Sequence, residues 1–217
     1  GSTINGKVVG SFGDINVTSI RSEKMIGVGE GAIISTNYKK IFEKFTLLAS
    51  RSAPFRTSKD PYWKKYFVSG EGYNYLMPHL LGSVARGQIE RFKKDLIKKK
   101  IKVGKIYINE LNKNNLNYGQ QISNKSKPVY WLNSVIFPKL TINKIRNIGE
   151  KLKKIGIEVR SGFWPLNLLR SFKSHYITKN NVSQNVFNKI LILPSSFDLT
   201  EKDIKLIIKK ICKLQKK

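Results

Sequence analysis

One lysine of this chain stands in a setting that could do covalent chemistry. Lys24 follows a stretch, Ile15 to Ile20, that alternates like a strand, and precedes the glycine-rich turn Gly27-Val28-Gly29-Glu30-Gly31. Schiff-base chemistry needs a lysine of this kind. Only the neutral amine attacks an aldehyde, and withdrawal from water lowers the pKa that keeps the amine charged. The glycines let backbone approach a bulky cofactor, and Ser19 and Ser22 offer hydroxyls for a phosphate. Pattern alone leaves open an ordinary solvated lysine. The turn also lacks the Gly-Lys-Ser/Thr ending of a phosphate loop. His79, after Pro78, and His175, in a polar segment, have no partners at metal-ligand spacing, so surface or capping roles are expected and no metal site is assigned. No Ser/His/Asp or paired-carboxylate pattern offers a rival chemistry.

The elements that must position Lys24 follow from hydrophobic periodicity. Gly31 to Thr36 reads as a second strand. Asn37 is placed to cap a helix bearing Ile41, Phe42, Phe45 and Leu48 on one face. Ser50 to Gly72, punctuated by Pro54, Pro61 and Gly70, reads as a long loop. Leu81, Ala85, Gln88, Phe92 and Leu96 share one face of a helix expected from about Pro78 to about Lys100. Further strands are expected over Val129–Phe137, Ile157–Arg160 and Lys189–Leu193. Between them, Thr141 should cap a helix striped by Ile142, Ile145, Ile148, Leu152 and Ile155 and ended by Gly156. Thr200 with Asp203 has the form of a capping box before Ile204, Ile207, Ile208 and Ile211.

Composition bounds the function classes. The 217 residues carry 41 Lys and Arg against 14 Asp and Glu, a net charge of +27 and a pI near 10.2. Such a balance calls for comparison with nucleic-acid binders. Apart from residues 93–102 and the C-terminal helix, however, the lysines are scattered among Asn and Ile. A basic nucleic-acid-binding module is therefore a secondary alternative, with solvated helix faces as the ordinary explanation. The lone Cys212 cannot form an internal disulfide, which agrees with a reducing, cytoplasmic setting. No apolar run has the length of a membrane span. The opening Gly1-Ser2 is not an initiator methionine, consistent with a tagged chain or one that begins inside a longer product.

Taken in order, several blocks resemble the DegT/DnrJ/StrS family of pyridoxal-phosphate sugar aminotransferases. The first runs Gly10-Ser11-Phe12-Gly13-Asp14-Ile15, then Ser19, Lys24 and Gly29-Glu30-Gly31. Tyr62-Trp63 and Gly72-Tyr73-Asn74-Tyr75-Leu76-Met77 follow, leading into a Gly87 to Arg91 helix segment. Next come Gly156-Ile157-Glu158-Val159-Arg160 with Phe163-Trp164-Pro165-Leu166, and finally Leu193-Pro194-Ser195-Ser196.

This resemblance implies an α/β chain comprising the C-terminal part of a fold-type-I, aspartate aminotransferase-like large domain and a smaller α/β domain. Residues 1–77 would complete the large pyridoxal-phosphate domain, 78–110 form a linking helix, and 111–217 the small domain. By the same resemblance Lys24 is the Schiff-base lysine that also moves protons during transamination, and Ser19 binds the cofactor phosphate. Asn74 is donated across a homodimer interface toward the neighbouring subunit's phosphate. Tyr62, Trp63, Arg160, Phe163 and Trp164 border the sugar-nucleotide pocket. The implied reaction, perosamine-synthase-like, moves an amino group, from glutamate, to a nucleotide-linked keto-sugar. Three departures qualify it. Leu76 stands where the family has arginine, and Asn167 where it has histidine. The family's first half, with the ring-stacking aromatic and the carboxylate that pairs with the pyridine nitrogen, has no counterpart in this sequence. The leading expectation is the C-terminal portion of such an enzyme, incomplete as a lone chain; the alternative is a catalytically inactive fragment or a subunit that needs a separate N-terminal half.

Overall fold

The computed structural model describes residues 1–53, 67–172 and 181–216. The chain divides into two units, Thr3–Lys94 and Asp95–Lys217, the latter including Gly1–Ser2. No described helix is long and apolar enough to cross a membrane.

The N-terminal unit opens with a hairpin of β1 (Thr3–Ile4) and β2 (Lys7–Val8). Its turn residues Asn5 and Gly6 both have positive φ, as a tight hairpin turn requires. β3 (Asn16–Ser19) and β4 (Ala32–Ser35) pair antiparallel, Asn16 opposite Ser35 and Ser19 opposite Ala32. Among the described residues this sheet has two strands. Helix α1 (Lys39–Ala49) starts later than expected: its N-cap is Tyr38, without a side-chain cap, and Asn37 does not serve. The Thr36 hydroxyl accepts from the Tyr38 N–H at 3.1 Å and turns the chain there instead. Ile41, Phe45 and Leu48 are half-buried, but Phe42 is exposed, so the expected four-residue face is buried over three of its members. α2 (His79–Arg91) closes the unit.

A π-helical turn, Phe92–Leu96, carries the helix without interruption into α3 (Ile97–Lys113). The helix thus passes its expected end near Lys100. The reason lies in Val103, Tyr107 and Leu111, all buried, which continue the stripe at four-residue spacing.

In the C-terminal unit β5 (Asn117–Tyr118) and β6 (Ser126–Lys127) precede β7 (Asn133–Ile136), α4 (Ile142–Lys154), β8 (Arg160–Ser161), α5 (Val182–Val186), β9 (Ile190–Leu193) and α6 (Glu201–Gln215). Four strands form an antiparallel sheet in the order β5-β7-β9-β8. α3, α4 and α6 contribute Tyr107, Leu152, Ile204, Ile208 and Ile211 to one core with Val135 and Leu191 of the sheet. The strand expected over Val129–Phe137 shortens at its start because Tyr130 takes a left-handed φ of 56°. That over Ile157–Arg160 pairs only at Arg160 and Ser161, opposite Ile192 and Leu191.

The helix signals read from sequence act as expected. Thr141 accepts from the Lys144 N–H at 3.4 Å. Gly156, φ 79°, ends α4 with its N–H on the Lys153 carbonyl. Thr200 and Asp203 form a reciprocal capping box. Cys212 lies on α6, its thiol directed at the Asn114 amide oxygen.

A polar network fixes the turn after β9. The Tyr107 hydroxyl donates to the Pro194 carbonyl at 2.8 Å, and the Asn133 N–H donates to the Ser195 hydroxyl at 2.9 Å. Buried Lys100 donates to the Ser195 carbonyl and lies 5.3 Å above the Phe197 ring centre. Burial pushes the Lys100 pKa down to about 8.

Candidate active site

β3 and β4 are joined by an inner hairpin. Ile20 N–H donates to the Gly31 carbonyl at 3.0 Å, Val28 N–H to Ile20 at 3.0 Å, and Ser22 N–H to Gly29 at 2.9 Å. A turn closed by Lys24 N–H on the Arg21 carbonyl (2.9 Å) places Lys24 at the tip. The glycines have local reasons. A Cβ at Gly27 would strike the Ser22 carbonyl, and Gly31, at φ 138°, accepts the close approach of Met77. The hairpin is anchored to α2 in two ways. Ile20 and Val28 pack with Ala85, joined by Ile26, Met77 and Leu81. The Gln88 side chain clasps the Gly27 peptide, accepting from its N–H at 2.9 Å and donating to its carbonyl at 2.7 Å.

Charges surround the tip. The Arg21 Nε lies 3.1 Å from a Glu30 carboxylate oxygen, and its Nη1 lies 3.7 Å from Glu23. The Lys24 ammonium is 3.9 Å from the same Glu23 oxygen, and its side chain keeps 26% of its exposure. The lysine is thus only partly withdrawn from water. Ser19, at the end of β3, is half-buried, and its hydroxyl accepts from the Arg21 N–H at 3.5 Å.

Ser19 and Lys24 therefore belong to one hairpin, while Asn74 is held on a separate stretch of backbone. It bridges Ser50 at the end of α1, with Arg51 N–H on the Tyr73 carbonyl (2.8 Å) and Tyr75 N–H on the Ala49 carbonyl (2.9 Å). Asn74 is exposed, and the rings of its sequence neighbours Tyr73 and Tyr75 stack on each other with centres 5.0 Å apart. Three residues on, Met77 reaches the hairpin at Gly31. Tyr62 and Trp63 lie outside the described residues. In the C-terminal unit, Arg160 and Trp164 line a common cavity of about 320 Å³. Phe163 is 71% exposed and is not part of that lining. Leu76 is exposed, and the Asn167 amide donates to Gln184 at 3.3 Å.

Gln88, Met77 and Glu23 escaped the sequence reading as site residues. The signal for Gln88 was present: it is an amide on an otherwise apolar helix stripe. Met77 carried none, since it meets the hairpin only through folding, and Glu23, beside Lys24 in the turn itself, had no spacing signal to set it apart.

An amine at a loop tip with a serine hydroxyl in the same hairpin suits an aldehyde that carries a phosphate. Among the described residues the Ser19 hydroxyl donates to nothing, so its proton is available to a phosphate oxygen.

The C-terminal part of the fold-type-I pyridoxal-phosphate sugar aminotransferases has this fold. A Helicobacter pylori aminotransferase, PseC, involved in the biosynthesis of pseudoaminic acid, matches with a TM-score of 0.84 at 19% identity, over 99% of this chain and 57% of its own. A Streptococcus pneumoniae protein in its PLP form matches at 0.84 and 17% identity, over the whole of this chain and 55% of its own. The chain belongs to the DegT/DnrJ/EryC1/StrS aminotransferase family, whose model matches residues 1–212. Aminotransferases of this family use pyridoxal phosphate. GDP-perosamine synthase of Escherichia coli O157:H7 is 28% identical over 207 residues, 94% of this chain and 52% of that protein. The chain thus spans about half the length of the curated relatives it matches.

Proposed function

We propose that this chain carries the lysine-bearing portion of a pyridoxal-phosphate sugar aminotransferase, moving an amino group, glutamate being the donor, to a nucleotide-linked keto-sugar in the cytoplasm. The observation behind this reading is the hairpin clasped by Gln88, which carries both Lys24 and Ser19, within a chain matched by the family along nearly its whole length. Bound there, pyridoxal phosphate would supply an electron sink for the carbon that gains or loses the amino group. Lys24 would hold the cofactor aldehyde and, when released, carry protons to and from that carbon. Ser19 would anchor the phosphate. Asn74 would act toward the phosphate of a second copy, making a homodimer part of the site. Arg160, Phe163 and Trp164, with Tyr62 and Trp63, are assigned to the sugar-nucleotide side.

The test is covalent trapping. The chain is incubated with pyridoxal phosphate, reduced with borohydride and mapped by peptide mass. Lys24 is expected to carry the reduced cofactor, and a Lys24→Ala chain to lose that label; labelling spread over other lysines with Lys24 unmodified would reject the assignment.

A second reading has its own support. In the N-terminal unit Phe12, Val17 and Phe42 are each about 60% exposed, on and beside a two-stranded sheet. Apolar surface of this kind commonly marks an interface. On this reading another polypeptide segment, supplying the first half of the family pattern, covers these side chains and completes the cofactor pocket. The chain alone then binds cofactor weakly, and addition of a recombinant first half from a relative restores labelling at Lys24.

A further inference from the structure

The lysines of α3 and α6 have no part in the chemistry proposed above, and folding brings the two helices together in the C-terminal unit. They share one core, α3 through Val103, Tyr107 and Leu111 and α6 through Ile204, Ile208 and Ile211. They also touch along their sides. The Cys212 thiol meets the Asn114 amide oxygen just past the end of α3, and the Glu201 carboxyl is held below its usual range by Lys205, then by Lys113 and Lys102 of α3. Away from the shared core, Lys98, Lys102, Lys105 and Lys113 recur on the outer side of α3, all exposed, in a row about 22 Å long. On α6, Lys202, Lys205, Lys209 and Lys213 recur at spacings of three and four, with Lys216 just past the end, and these too are exposed. Lys113 pairs with Glu110 at 2.9 Å and Lys205 with Glu201 at 2.6 Å. Among the described residues Lys98, Lys102 and Lys105 are in no ion pair.

Rows of like charge repel one another, and an extended anionic partner relieves that repulsion. The side chains decide which partner fits. Neither helix carries an arginine, the residue suited to bidentate reading of bases and single phosphates. Their one aromatic residue, Tyr107, is buried, so the face offers no ring on which an unpaired base stacks. Aliphatic carbon is interleaved with the lysines instead. Ile101 and Ile106 join Lys98, Lys102, Lys105 and Asn109 around an open depression of about 390 Å³ on α3. Leu206, four residues after Lys202 and three before Lys209, is 49% exposed on α6. A nucleic-acid backbone gains nothing from these aliphatic groups. The boundary between lipid headgroups and acyl chains takes both parts, with lysine stems and leucine along apolar matter and ammonium groups among the phosphates. We propose that the outer face of α3 and α6 docks on an anionic lipid bilayer. The chain lies on the bilayer through this face and does not cross it, in keeping with described helices too short or too polar to span a membrane. The proposal needs neither Lys24 nor pyridoxal phosphate and does not rest on the amino-transfer reading.

The test is co-sedimentation of the full chain with vesicles of phosphatidylcholine alone and of phosphatidylcholine with about 30% phosphatidylglycerol, at about 50 mM and about 500 mM salt. Binding to the anionic vesicles is expected to be about tenfold or more tighter than to the neutral ones, and to fall at the higher salt. Lys98, Lys102 and Lys105 are exposed and outside any ion pair, so their triple change to Gln should keep the melting temperature while weakening vesicle binding about tenfold. A control removes the same charge from the other unit. Lys7, Lys40 and Lys44 are also exposed, and the triple variant Lys7→Gln, Lys40→Gln, Lys44→Gln should bind vesicles as the parent chain does. Leu206→Gln leaves the charge unchanged and should weaken binding to vesicles without changing retention on duplex DNA, which serves as the rival polyanion. Equal binding to neutral and anionic vesicles, no loss in the α3 triple variant, an equal loss in the control, or duplex DNA bound more tightly than the anionic vesicles would each overturn the proposal.

Discussion

Two side chains show how much one residue can decide in this molecule. Gln88 satisfies both polar groups of the Gly27 peptide with one amide. Gln88→Leu keeps the bulk and removes both bonds, leaving a part-buried N–H and C=O unpaired, at a cost of about 1–3 kcal/mol. Urea unfolding should register that loss, and labelling at Lys24 should become slower, because the hairpin would sample conformations in which the amine is misplaced. Lys100 gives a pH signature. Its folded pKa, about 8, lies below the unfolded value of about 10.4, so the unfolded chain holds the extra proton between them. Stability is then lowest and flat below about pH 8 and rises toward about pH 10.4, by about 3 kcal/mol at most. Tyr107 and Tyr118 act the other way: burial raises their hydroxyls above the usual range, so their contribution is present below about pH 10 and is lost above it. Urea midpoints from about pH 7.5 to 10 should therefore climb in the parent chain and stay nearly level in Lys100→Met.

At the level of elements, the parts legible in the sequence were those whose cause is local. Thr141, Gly156 and the Thr200–Asp203 box mark helix ends because caps act within four residues of themselves. The buried stripe of α6 follows from spacing alone. Helix α1 departed from its expected cap because the Thr36 hydroxyl turns the chain by accepting from the Tyr38 N–H, and Tyr38, without a side-chain cap, becomes the N-cap in place of Asn37. The strands were read too long because pairing needs a neighbour: Tyr130 turns left-handed, and Ile157 to Val159 lie outside the ladder that Arg160 and Ser161 join. The lysine-bearing hairpin was legible as strand, turn and strand, but its clasp to α2 was not, since Gly27 and Gln88 meet across 61 residues. Gly31 tests that hairpin. At φ 138°, with the Met77 side chain against the position of a Cβ, Gly31→Ala meets both strain and a clash. The clash involves the flexible end of a methionine, so adding Met77→Ala should restore only part of the lost stability; full restoration would show that the backbone angle is unimportant.

Across the whole molecule, charge is unevenly divided. Asp95 to Lys217 with Gly1–Ser2 holds 26 basic and seven acidic residues, whereas Thr3 to Lys94 holds 15 and seven. The exposed apolar side chains of the sheet region, by contrast, lie in the less charged unit. Neither division could be read from overall composition, because +27 and 40% hydrophobic are averages over both units. The boundary between the units has a further consequence. It falls at Lys94 and Asp95, inside the π-helical turn that joins α2 to α3, and no extended linker separates them. Multidomain chains are usually nicked at such linkers, yet here the two lysines nearest the boundary, Lys93 and Lys94, are enclosed in continuous helix. Brief trypsin treatment should therefore leave the bonds after Lys93 and Lys94 among the last to be cut. A break at that point would expose eight backbone groups that the intact helix satisfies, four on each new end. The units are thus poor candidates for exchange as separate modules: a recombination that joins one of them to a new neighbour must preserve the helix through the joint.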